Sequence, residues 1–349
     1  MVYNELKQRF WILRCRSTIK LISKQCQFCL RRKTKPQIPP MGNLPPVRLE
    51  HSHRPFTNVG LDYFGPLEVT VGRHREKRYV ALFTCMTVRA VHLEIVSSLS
   101  SDSAVSCLRR FVARRGIPKK IISDNGTAFV GANRQLKEFY GRAIEDFAAN
   151  SKIEWSFIPP ASPFMGGCWE RLIRSVKNAL AVTLRDRAPK EESLLTLLQE
   201  VEALLNSRPL TYVTENNELQ SLTPFHFLIG ASSNQQLPAP LGDEVLCLRK
   251  EWQKVLRLSE HFWSRWLKEY LPCLRTRRPQ NGSFQNFKIG DVVLIVDPDV
   301  PRGVWPMGRV TKLYPGADGV TRVVDVHTKG GVLKRPVRKL ALLGQDTIV

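Results

Sequence analysis

No apolar run in this 349-residue chain is long enough to span a membrane, and Met1 to Lys20 is too charged for a secretory signal. Acidic residues are scarce, 31 Asp and Glu against 53 Lys and Arg, which leaves a net charge of +22 at pH 7. Cysteine is sparse as well. Of the eight, Cys85, Cys107, Cys168, Cys247 and Cys273 are scattered through apolar patterns, as buried thiols of a reducing compartment are, so no disulfide framework is expected. Histidine is missing before His51, which bears on Cys26-Gln27-Phe28-Cys29: the two thiols are half of a tetrahedral zinc site with no histidine upstream to complete it. Two thiols without metal are the equal alternative. These absences describe an intracellular chain with no membrane contact, whose positive field favours polyanions, nucleic acid first among them.

An apolar content of 43% is enough to build a core, and the length suggests two to three domains. Residues 1–32 carry a helical pattern ending in the Cys-x-x-Cys pair, and 33–55 are proline-rich and aperiodic, as an extended linker is. From Thr57 strands alternate with helices up to a closing point near Gly230. Residues 231–285 read as a helical connector, its aromatic stripe (Trp252, Phe262, Trp263, Trp266, Tyr270) packed rather than stacked on bases, followed by a basic linker. Short strands separated by glycine turns fill 286–349, the spacing of a small β-barrel. Arg309, Lys312, Arg322, Lys329, Lys334, Arg335, Arg338 and Lys339 give that barrel a phosphate-binding surface; any one of them is equally well a solvated cation.

Three carboxylates stand out. Asp62 interrupts the apolar strand Asn58-Val59-Gly60-Leu61-Asp62-Tyr63-Phe64, which Gly65-Pro66 is expected to halt, and a buried strand does not carry an unpaired acid cheaply. Asp124 follows the short apolar strand Lys120 to Ser123 at a turn made by Asn125-Gly126; by itself Asp-Asn-Gly is ordinary turn chemistry. Glu170 opens an amphipathic helix off its apolar stripe, on one face with Arg174 and Lys177. A solvated ion-pair face describes that helix about as well.

Taken together, Gly-Leu-Asp-Tyr-Phe-Gly-Pro, Ser-Asp-Asn-Gly-Thr, Gly-Gly-Cys-Trp-Glu, Leu205-Asn206-Ser207-Arg208-Pro209-Leu210 and Leu222-Thr223-Pro224-Phe225-His226-Phe227 resemble the integrase of BEL/Pao-type LTR retrotransposons. The resemblance implies a ribonuclease-H-like mixed five-stranded sheet flanked by helices and followed by an SH3-like barrel; the order of elements alone fits other α/β folds too. It implies Asp62, Asp124 and Glu170 as catalytic ligands of Mg²⁺ or Mn²⁺, and element-end and target DNA as partners, held in part by Arg174, Lys177, Arg309, Lys312, Lys334 and Arg335. It further implies a homo-oligomer made within a polyprotein and acting in the nucleus. A His-His-Cys-Cys zinc module would have its histidines upstream, so the chain is expected to begin inside that module, with Cys26 and Cys29 as a partial Zn²⁺ site. The separation of Asp124 from Glu170 is wider than in retroviral enzymes, and extra structure is expected at Asn133 to Gly141. Two rival readings keep the fold: a metal nuclease that hydrolyses rather than joins, and a retroelement-derived DNA- or chromatin-binding protein that has lost its chemistry.

Overall fold

The computed structural model describes residues 2–33, 45–50, 54–143, 153–159, 167–185, 188–215, 218–232, 251–274, 287–297, 300 and 302–344. Residues Met1–Pro45 form one compact unit and Pro46–Val349 another. The first holds helices α1 (Val2–Arg9), α2 (Cys15–Gln25) and α3 (Gln27–Lys33), broken where Arg14 takes a left-handed φ of 54°. Helix α2 buries none of its residues, and Phe10, Trp11, Leu13, Leu21 and Phe28 are all exposed.

In the second unit the linker expected at 33–55 contains a short helix, α4 (Pro46–Leu49), whose Val47 packs on the core. Strands β1 (Asn58–Val71), β2 (His74–Cys85) and β3 (Val91–Val96) form an antiparallel meander. Next come α5 (Ser101–Arg115), β4 (Lys120–Ser123), α6 (Thr127–Ala143) and β5 (Glu154–Phe157), with β4 parallel to both β1 and β5. The resulting order, β3-β2-β1-β4-β5, is the mixed ribonuclease-H-like sheet. Gly65-Pro66 does not halt β1 as expected. The strand continues to Val71 through a register shift between Phe64 and Leu67, since a proline without an N–H is tolerated where the ladder is already irregular. Helix α6 spans the stretch at Asn133 to Gly141 where extra structure is expected.

Strand alternation divides the core in two. Val59, Leu61, Phe83 and Ile121 join Leu108 and Phe111 of α5 and Phe129 of α6 on one face. On the other, Phe64, Val80, Leu82 and Leu93 meet three helices: α7 (Gly167–Thr183), α8 (Glu191–Asn206) and, beyond a two-stranded hairpin β6 (Thr211–Glu215) and β7 (Glu218–Leu222) and the helix α9 (Pro224–Ile229), α10 (Glu251–Leu274). The sequence makes 251–274 a connector. In the fold it is a core helix, with Val255, Leu258, Phe262, Trp263 and Trp266 buried beside the α8 leucines. Of its aromatic stripe, Phe262, Trp263, Trp266 and Tyr270 are packed on the core, and the Trp252 side chain lies outside the described residues.

The C-terminal part is a five-stranded antiparallel sheet, consistent with an SH3-like barrel: β8 (Val292–Ile295), β9 (Met307–Pro315), β10 (Thr321–Thr328), β11 (Gly331–Pro336) and β12 (Leu340–Gly344), in the order β11-β10-β9-β8-β12. The last strand is not visible in the glycine-turn pattern, because the 3-10 turn Val337–Lys339 that leads into it carries no glycine.

Candidate active site

Parallel pairing of β1 with β4 runs Val59–Ile121, Gly60–Ile122 and Leu61–Ser123. The next residue on each side is an acid: Asp62 continues β1, and Asp124 is the first residue past the end of β4. Alternation sets the face. Asp62 sits opposite Leu82, which belongs to the α7 side of the core, while Leu61 and Ile121 belong to the α5 side. Two acids that lie 62 residues apart in sequence thus come directly after one paired stretch of β1 and β4.

The turn after β4 is firmly built. Gly126 N–H donates to Asp124 Oδ1 at 3.1 Å, Asn125 Nδ2 donates to the Ile158 carbonyl at 2.6 Å, and Trp155 Nε1 donates to Ser123 Oγ at 2.9 Å. A Cβ at position 126 would come within 3.1 Å of Asp124 Oδ1, so glycine leaves the carboxylate room. Asp-Asn-Gly is therefore turn chemistry and carboxylate placement at once, and Asp124 remains exposed.

Helix α7 brings the cation. Lys177 Nζ lies 2.9 Å from Asp62 Oδ2, with both side chains part-exposed, and 5.9 Å from the centre of the Phe64 ring. Arg174 on the same helix is exposed. Glu170 lies in the first turn of α7; its side chain is outside the described residues, as is that of Cys29. Among the described residues no group of three or more His, Cys, Asp or Glu side chains could hold an ion. For a hard divalent cation, Asp62 and Asp124 are suitable oxygen donors, and the Lys177 ammonium beside Asp62 shows that positive charge is accepted there. At the Cys-x-x-Cys pair, Cys26 caps the C-terminus of α2, and the Cys29 side chain lies outside the described residues.

The Leu-Asn-Ser-Arg-Pro-Leu motif contributes architecture. Asn206 at the end of α8 donates from Nδ2 to the Val91 carbonyl and accepts Val91 N–H on Oδ1, each at 2.8 Å, as a neighbouring strand would. Arg208, buried, donates to the carbonyls of Leu205 and Arg89. Burial pushes its guanidinium below the usual arginine range, with Tyr270 of α10 pulling the other way. Beside this latch, His92, Glu94 and Glu202 form a buried ionic cluster with Arg110, Arg114 and Arg115 that joins β3, α5 and α8.

On the barrel, Lys312 and Lys334 both stand opposite Asp325 in the strand register and flank the Tyr314 ring at 5.2 and 4.1 Å from its centre; Arg309 is opposite His327. Arg335 has the other parity, paired with the buried Val324, and reaches toward Asp297 at 3.9 Å. Of the four barrel cations that the resemblance assigns to DNA, the fold thus gathers Arg309, Lys312 and Lys334 on one outer face and turns Arg335 away.

The part of the chain that carries both aspartates has a recognised pattern. Residues 53–163 match the Integrase core domain. This integrase-core match takes in Asp62 and Asp124 and stops short of Glu170 and Lys177. Residues 250–343, which hold α10 and the barrel, match a family of unknown function, DUF5641. Among solved structures, the chain is similar to a chain of the simian T-cell lymphotropic virus intasome in complex with PP2A regulatory subunit B56 gamma, at 13% identity over 96% of this chain and 92% of that one, TM-score 0.38. It is also similar to the HTLV-2 integrase catalytic core domain in complex with magnesium, in trimeric and dimeric forms, at 19% identity over 50% of this chain and 97% of that one, TM-score 0.32. No curated protein matches the chain.

Proposed function

We propose that this chain is a retrotransposon integrase of the BEL/Pao type, which trims element DNA ends and transfers the resulting 3′-hydroxyl onto a target phosphodiester. One observation carries the reading: within the integrase-core match, β1 and β4 pair in parallel up to Leu61–Ser123, and the next residue on each side is an acid, Asp62 or Asp124. Asp62, Asp124 and Glu170 would hold Mg²⁺ or Mn²⁺, which when bound stabilises charge on the attacking and leaving oxygens of a phosphoryl displacement. The chain's own residues do the rest. Asp62 and Asp124 give a fixed pair of oxygen donors, Gly126 keeps the Asp124 carboxylate oriented, and Arg174 offers an exposed cation to DNA phosphates. The outer barrel face with Arg309, Lys312 and Lys334 supplies further phosphate contacts, and the net charge of +22 favours the encounter. Homo-oligomerisation, which holding two DNA ends together requires, and nuclear action belong to the same proposal. The direct test is strand transfer with oligonucleotides carrying the element's ends. Joined products support an integrase, hydrolysis alone a nuclease, and binding without turnover a DNA-binding protein.

Lys177 has a more specific role than a distant phosphate clamp, because its ammonium already neutralises Asp62. An entering divalent cation competes with it. A part-exposed pair of this kind contributes at most about 1 kcal/mol, a several-fold effect on a competing equilibrium. Lys177→Gln is therefore expected to lower the Mg²⁺ concentration that gives half-maximal thermal stabilisation by a few-fold, while strand transfer falls. An unmoved Mg²⁺ midpoint would show that the ammonium does not compete.

Metal analysis of the purified chain is expected to find well under one zinc per protomer, since two thiols do not complete the tetrahedral set. One tightly held zinc per protomer would contradict this and call for further ligands within residues 1–55.

A further inference from the structure

The barrel does not hang from the core. Its β8–β9 connection sends Arg302 into the core, where the buried guanidinium meets two acids on two helices. Nη1 donates to Glu200 Oε2 of α8 at 2.9 Å, and Nε lies 2.9 Å from Glu260 Oε2 of α10. Three residues on, Trp305 stands edge-on to Trp263, Trp266 and Tyr270 of α10, with ring centres 5.1, 5.8 and 6.1 Å away, and its Nε1 reaches Ser207 Oγ at 3.5 Å. At the far strand, β12 passes so close to the β6 hairpin that a Cβ at Gly344 would come within 2.5 Å of the Tyr212 ring. Barrel and core thus touch through a buried charge, an aromatic cluster and a glycine-gated approach.

A tether that merely carried a mobile DNA-binding module would need none of this. Burying an arginine between two carboxylates is costly unless its geometry is used to fix one arrangement. We propose that the barrel strands β8–β12 form a rigid DNA-positioning arm of the catalytic body, in which Arg302 and Trp305 are positioning residues that hold the basic face of Arg309, Lys312 and Lys334 in a fixed relation to Asp62 and Asp124. This rests on the reading that duplex DNA is the substrate. Its physical consequence is simultaneous engagement: phosphates at the barrel and at the core are neutralised together, and the second set is bound without a further loss of freedom.

The test uses the full chain. Trp305→Ala removes the aromatic contact; Arg302→Met with Glu200→Gln and Glu260→Gln removes the charge without leaving two part-exposed acids unpaired, so that folding is preserved. Two readouts are taken: hydrogen exchange in β8–β12 against that in β1–β4, and the slope of log affinity for duplex DNA against log salt. Exchange is expected to rise in the barrel strands and stay unchanged in β1–β4. The salt slope is expected to shallow by several units, about 0.9 for each phosphate no longer held together with the rest. Unchanged exchange in both variants would overturn the lock. Raised exchange with an unchanged slope would overturn the positioning role. If the parent chain binds no DNA, the proposed function fails and the positioning role with it, while the exchange measurement still decides whether the arm is locked.

Discussion

Asp62→Asn, Asp124→Asn and Glu170→Gln are each expected to lower strand transfer and end trimming by about a thousand-fold or more, with the fold and DNA binding kept. The substitutions hold shape and remove charge. A neutral amide oxygen is a poor donor for a hard divalent cation, and the lost transition-state stabilisation amounts to several kcal/mol, with each 1.36 kcal/mol about tenfold in rate. The effects on stability should differ between sites. Asp62→Asn leaves the Lys177 ammonium without its partner, so without Mg²⁺ its melting temperature should be unchanged or slightly lower. At Asp124, which is exposed and bonded to the Gly126 N–H, the amide oxygen can accept the same hydrogen bond and stability should hold. All three should show a smaller rise in melting temperature on adding Mg²⁺ than the parent. Near-parental strand transfer by any one variant would remove that residue from the metal site.

Glu202→Ala is expected to destabilise the chain by about 3 to 5 kcal/mol, the cost of stripping one partner from a buried ionic cluster. Glu202 receives His92 Nδ1, Arg115 and, at 2.8 Å, the Leu93 N–H; its loss leaves the buried imidazole with Glu94 alone and strands a backbone donor on the edge strand β3. The cluster also sets a pH window. Burial works to raise the Glu202 and Glu94 carboxyls, but hydrogen bonds from His92, with the Leu93 N–H on Glu202 and Arg110 on Glu94, outweigh it and hold both below their ordinary 4.5. Their contribution is complete above that value and is lost as pH falls through the lower folded values. Burial works to lower His92, yet its bonds to Glu202 and Glu94 prevail and raise it above 6.5. That contribution is complete below 6.5 and is lost as pH rises through the raised value. Denaturant midpoints should therefore peak between about pH 4.5 and 6.5. In Glu202→Gln the alkaline decline should flatten, because His92 loses its charged partner; an identical profile would exclude the cluster as its source.

Several features of the fold are local and can be read from the chain. Proline at 118 and glycine at 116 end α5, and Ser100 caps it by accepting Ser103 N–H. The apolar stripe of Leu194, Leu197, Leu198, Val201 and Leu204 is the buried face of α8. Asp62 is legible because an acid inside an apolar strand is a local anomaly, and Asp124 because it follows a short apolar strand at a turn. What local pattern misreads is the strand running past Gly65-Pro66, since tolerance of a proline depends on the neighbouring strand, and the helix 251–274, whose amphipathic pattern does not say what its apolar face meets. Arg302 could not be found at all. A lone arginine in a polar loop looks like a surface cation until the fold sets two glutamates from different helices around it.

By itself, then, the sequence determined the alternation of strands and helices, the excess of positive charge and which acids stand out, because each depends on side-chain period, composition or residues within one or two turns. Only the tertiary structure decided that Asp62 and Asp124 each follow directly on the last paired residues of β1 and β4, that Lys177 closes on Asp62 rather than facing away, that Arg335 turns aside from Arg309, Lys312 and Lys334, and that the barrel is bolted to the core. The physical reason is common to all four: strand register, face and burial are relations between segments far apart in the chain, and they come into being only when the sheets and helices pack.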